Sequence, residues 1–64
     1  MKIEADMELI EKDLNYLLET GNELDTIGEN EKALEQYMKG LELSSKTNLN
    51  NYTKIFSQLI ITLL

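Results

Sequence analysis

Five carboxylates, Glu19, Glu23, Asp25, Glu29 and Glu31, crowd one short stretch, and they are the residues whose type and density could do chemistry. Carboxylates can serve as an acid–base pair or as hard oxygen ligands for a cation. Calcium loops need donors at alternating positions, and this spacing misses that pattern. A solvated acidic face is the expectation. The chain has no histidine and no cysteine, which removes the commonest general base and the usual zinc ligands. Gly21, Gly28 and Gly40 stand alone rather than in a phosphate-cradling loop. No catalytic, cofactor-binding or metal-binding residue is therefore assigned, no cofactor is expected, and a non-enzymatic function is read from the composition.

The formal net charge is −6, and eleven of the twelve acidic residues lie in the first 35 positions. From Leu43 to Leu64 the charged residues are Lys46 and Lys54 alone. Proteins that track phosphates need clustered Lys and Arg to release counterions. Here arginine is absent and the six lysines are scattered, so nucleic acid is excluded as a partner. The same acidity disfavours anionic membrane surfaces. There is no basic-then-apolar leader and no apolar run long enough to span a bilayer, so an intracellular, cytoplasmic protein without membrane partners is expected. A chain of 64 residues makes one domain at most, 1–64. Its own core is marginal, roughly 3–5 kcal/mol or less. With neither disulfides nor zinc to add, oligomerisation or docking on a partner remains.

The elements that position these groups follow from apolar spacing. Ile3, Met7, Ile10, Leu14, Leu17 and Leu24 alternate at steps of four and three, with Gly21 filling the one gap. This is the heptad period of a helix face, and it predicts one long amphipathic helix over 3–27. The alternative is two shorter helices broken at Gly21-Asn22. Gly28 suits the left-handed residue that closes a helix and Asn30 could cap the next one, which places a turn at 28–30. Leu34, Tyr37, Met38 and Leu41, with Ala33 beside them, predict a second helix over 31–44. A polar, turn-prone break then runs from Ser44 to Asn51. Leu49, Tyr52, Ile55, Phe56, Leu59, Ile60, Leu63 and Leu64 predict a third helix over 49–63. The alternative there is a strand, because Ile and Thr favour sheets. The expected fold is all-α, a three-helix antiparallel bundle.

Two antiparallel helices joined by a tight turn approach closely only where small side chains face each other. Gly21 against Ala33 is the expected contact, with Leu17, Leu24, Tyr37 and Leu41 around it. The order Leu17, Gly21, Leu24, Gly28, Ala33, Leu34, Tyr37, Gly40 and Leu41 resembles a tetratricopeptide repeat. The longer spacing to Asn50-Asn51-Tyr52 and on to Ile55, Phe56 and Leu59 is similar to the repeats of peptide-sensing regulators of the Rap and arbitrium type. That resemblance implies a concave peptide-binding face at Asn15, Leu18, Asn22, Asp25 and Thr26, with Asn22 matching an asparagine that commonly holds a ligand backbone. The basic residues that clamp an acidic tail in some members have no counterpart here. The run from Asp25 through Gly28, Ala33, Leu34, Tyr37, Gly40 and Leu41 also resembles the microtubule-interacting and trafficking domain, which implies a groove for amphipathic helical tails.

The last segment carries more apolar surface than a two-helix hairpin can cover. One helix turns about half its circumference to such a hairpin, and Ile55, Phe56, Leu59, Ile60, Ile61, Leu63 and Leu64 wrap further round than that. Tyr52, Phe56, Leu59, Ile60 and Leu63 are therefore the candidate partner-binding residues on this helix. They are expected to pack against a second copy or a target protein, unless the first helix reaches far enough to enclose them. The sequence thus points to a helical adaptor or small regulator that binds a protein or peptide, as a homo-oligomer or in a hetero-complex. The alternatives are a trafficking-type domain and a purely structural oligomer paired through the heptad face of the first helix.

Overall fold

The computed structural model describes residues 3–64, with side-chain surroundings from Met7 onward. Met1 and Lys2 lie outside these residues, and so does the side chain of Ile3 at the head of the expected heptad face. Three helices follow in chain order: α1 (Ile3–Thr26), α2 (Asn30–Lys46) and α3 (Asn50–Leu63). They form an all-α, antiparallel three-helix bundle in which α2 packs on both α1 and α3.

The heptad face of α1 is the face that is covered. Leu14 is wholly buried, and Ile10, Leu17, Leu18 and Leu24 pack against the core. α1 runs unbroken through Gly21, so the two-helix alternative does not occur. Leu14, Ala33, Tyr37 and Phe56 make the buried centre, one or two residues from every helix. The Tyr37 and Phe56 rings lie 6.3 Å apart at 52°, inside the range of favourable aromatic pairs.

Both aromatics sit on glycines. A Cβ added at Gly21 would overlap the Tyr37 ring, and one added at Gly40 would overlap the Phe56 ring. The nearest neighbour across from Gly21 is therefore Tyr37, not the expected Ala33. The physical logic holds with one change of partner: the missing side chain makes room for a flat ring lying on the helix backbone. The α1–α2 and α2–α3 seams use the same glycine-under-ring joint.

The two turns are also alike. Gly28 takes φ 87° and Asn48 φ 62°, the left-handed conformation that ends a helix. Around Gly28, Glu29 N–H donates to Leu24 O at 2.8 Å and Gly28 N–H to Asp25 O at 3.1 Å. Around Asn48, Leu49 N–H donates to Ser44 O at 3.0 Å and Asn48 N–H to Ser45 O at 3.3 Å. These are paired Schellman closures, and they place the first turn at 27–29 rather than 28–30. Asn30 is the first residue of α2, and Glu29 holds the cap position without a side-chain bond.

The expected break from Ser44 to Asn51 shrinks to 47–49, because Ser44, Ser45 and Lys46 remain helical. Ser44 is fully buried where α2 meets α3. Its hydroxyl donates to Leu41 O at 3.1 Å and receives the Thr53 hydroxyl at 2.9 Å. Packing and satisfied hydrogen bonds override the turn preference of serine. The last segment is helix α3, not a strand.

Candidate interaction surfaces

Steps of three and four along α1 put Asn15, Leu18, Asn22 and Asp25 on one face. The structure ties this face to the other two helices. Tyr37 Oη, reaching across Gly21, donates to Asn22 Oδ1 at 2.6 Å. Tyr52 Oη, at the start of α3, donates to Asn15 Oδ1 at 3.1 Å. Each asparagine oxygen thus accepts a tyrosine hydroxyl, which turns the NH2 end of each amide away from its tyrosine. Both asparagines are exposed and Leu18 between them is half-buried. Thr26 contributes its hydroxyl to the α1 backbone, donating to Asn22 O at 2.9 Å. Burial pushes the Tyr37 phenol above its ordinary value of 10.0, and the Asp25 carboxylate pushes the same way. The face can offer two amide donors flanking an apolar side chain.

On α3 the expected partner-binding residues divide. Phe56 is wholly enclosed, seated on Gly40, and has no area for a partner. The sequence treats it as part of a partly bare stripe because the glycine that receives it lies sixteen positions away on another helix. Tyr52, Leu59, Ile60 and Leu63 are half-buried against the core. The bare residues are Ile55 at 41%, Ile61 at 69% and Leu64 at 88% exposure. Ile61 and Leu64 belong to the apolar surplus of this segment, and they are more accessible than any of the five residues expected to meet a partner. Their helical angle, turned away from Phe56, is the signal that distinguishes them.

Three further apolar side chains are exposed: Leu9, Tyr16 and Ile27, each at 60% or more. Leu9 and Tyr16 fall outside the heptad row of α1, and Ile27 lies in the turn. Met38, expected on the inner face of α2, also faces out. A hollow of about 710 Å3 runs along α1 from Glu19 to Ile27. That volume is in the range of small-molecule sites, but its walls come from α1 and the first turn alone, so nothing surrounds a small ligand. Among the described residues, no three acidic side chains come together as a metal site, and no helix is long and apolar enough to cross a membrane.

Comparison of the chain with protein-family models, with curated proteins and with solved structures gave no match.

Proposed function

We propose that this chain is a non-enzymatic protein-interaction module, a small cytoplasmic adaptor or regulator that occupies the surface of another polypeptide. The observation that carries the reading is the bare outer side of α3. Ile61 and Leu64 stand 69% and 88% exposed on a helix with no charge after Lys54. Contiguous apolar surface on a small chain marks an interface. The α1 face supports the same reading, because outward amide donors at Asn15 and Asn22 suit the carbonyl oxygens of an extended peptide. That face is the concave face implied by the likeness to tetratricopeptide repeats.

A photo-reactive residue in place of Ile61, or in place of Asn22, tests the proposal in cells. The expected outcome is a covalent adduct with one defined protein at either position and none at Lys12, which is exposed on another side of α1. Equal labelling at all three positions, or none, removes the reading. A second reading, a domain like the microtubule-interacting and trafficking module, draws on Gly40 at the α2–α3 seam. It places an amphipathic helix between helices, so its adducts would come from a helical tail and not from an extended segment. A purely structural oligomer paired through the heptad face of α1 draws less support, since Ile10, Leu14, Leu17 and Leu24 of that face pack within the chain.

A further inference from the structure

Resting on that reading of the α1 face, we infer that its occupant is an extended basic segment of another polypeptide, with a lysine or arginine at each end and an apolar side chain between them. The face is a row: Glu11, Asn15, Leu18, Asn22 and Asp25 recur at steps of four, three, four and three. Leu18 is half-buried and the other four are exposed. Carboxylates close the row at both ends, amides stand inside them, and one leucine holds the centre. No lysine belongs to the row.

The other two helices decide what the amides offer. Tyr37 and Tyr52 donate to Asn22 Oδ1 and Asn15 Oδ1, so each tyrosine engages the accepting end of its amide and leaves the N–H donors for a ligand. Backbone carbonyls of an extended chain are the matching acceptors. Spacing selects the form of that chain. Glu11 to Leu18, and Leu18 to Asp25, are each two helical turns, a rise of about 10.5 Å. A polyproline-type strand turns once in three residues over about 9.3 Å, so its first, fourth and seventh side chains face α1 together. Long acidic and basic side chains span the small remainder. In a flat β-strand the fourth residue would face away.

Charge names the ends. Glu11 and Asp25 each offer a carboxylate to a cation, and the net charge of −6 on the chain steers a basic segment toward it. Glu11 also lines a hollow of about 240 Å3 with Asn48, Asn50, Asn51 and Tyr52, open space for a lysine or arginine head. The first turn of α3 borders that hollow with about half a unit of positive charge, which the full charge of the Glu11 carboxylate exceeds. An acidic segment would meet like charge at both ends of the row. The amides then read the backbone, the carboxylates read the two basic side chains, and Leu18 meets the apolar one between them.

Nuclear magnetic resonance titration of the full chain with the synthetic peptide Ala-Lys-Pro-Pro-Leu-Pro-Pro-Lys-Ala tests this. The side-chain NH2 signals of Asn15 and Asn22 should move together and saturate, while the backbone signal of Ile61 stays in place. Exchanging both peptide lysines for glutamate should abolish the response, and moving the two lysines next to each other should weaken it. Glu11→Gln combined with Asp25→Asn should weaken binding about threefold to tenfold at low salt and less at high salt, with unchanged helical circular dichroism because both positions are exposed. Asn22→Asp keeps an acceptor for Tyr37 and adds negative charge, yet it should weaken the peptide because the N–H donors are gone. Tighter binding by Asn22→Asp, equal binding of the glutamate peptide, or still signals at Asn15 and Asn22 each overturn the inference. If the peptide leaves the row untouched while a photo-reactive residue at Asn22 or Ile61 captures a protein, the basic-segment inference fails and the interaction reading stands. If the peptide binds as expected and neither position captures a protein in cells, the chemistry of the row stands and the adaptor reading falls.

Discussion

In an exposed helix interior, replacing glycine by alanine gains about 1 kcal/mol of helix propensity. At Gly21 the added methyl would lie 2.8 Å from Cδ1 of Tyr37, and at Gly40 2.7 Å from Cε2 of Phe56. Overpacking of this kind costs about 1–3 kcal/mol, a large part of the stability of so small a core. Gly21→Ala and Gly40→Ala should each lower the denaturation midpoint, reversing the usual sign, and urea titration checks it. The titration of Tyr37 gives a second residue-scale prediction. Its phenol is raised in the folded chain, so the folded state holds the proton more tightly than the unfolded state does. That contribution is complete below the unfolded value of 10.0 and is lost as pH climbs through the raised one. Melting temperature should hold up to about pH 10.0 and then fall until the raised value is passed. Tyr37→Phe should start lower, having lost its bond to Asn22, and fall less steeply; an equally steep fall would show that Tyr37 is not responsible.

Helix ends carry the next scale. Gly28 and Asn48 occupy equivalent left-handed positions in equivalent closures, but a side chain there costs roughly 1–2 kcal/mol unless it is glycine or asparagine. Asn48→Gly should therefore leave stability unchanged or raise it slightly, while Asn48→Ala and Gly28→Ala should each cost about 1 kcal/mol, read from thermal unfolding. The first of these turns was legible in the sequence, because a glycine after the last periodic residue has few other uses. The second was hidden in a run of serine, threonine and asparagine from Ser44 to Asn51, any of which can turn the chain. Which of them does so depends on Ser44 being buried against Thr53, a contact between helices that no local pattern contains. Heptad spacing fixed α1 for the opposite reason: each of its apolar positions speaks for a face, and the face is what packs. The asparagines of the α1 face were legible as exposed positions, but their tyrosine partners were not, since Tyr52 meets Asn15 across 37 positions.

At the scale of the molecule, surplus apolar surface could be read from the sequence, but its address could not. Phe56 was inseparable from its neighbours until Gly40 was seen beneath it. That joint also decides how the molecule unfolds. α3 contributes one wholly buried side chain, Phe56, which touches Tyr37 at the centre that α1 and α2 share. Phe56→Ala removes the ring and leaves a void, at a cost of about 3–5 kcal/mol, comparable to the whole stability expected of a core this size. If the three helices form one cooperative unit, the loss falls on all of them, because Tyr37 loses the packing of one side of its ring together with the support of α3. Amide exchange at Leu17 in α1 and at Ile60 in α3 should then report the same opening free energy in the native chain, and both should lose protection in Phe56→Ala. Protection retained at Leu17 but lost at Ile60 would mean that the α1–α2 hairpin stands without α3, and that the two glycine-seated joints are independent.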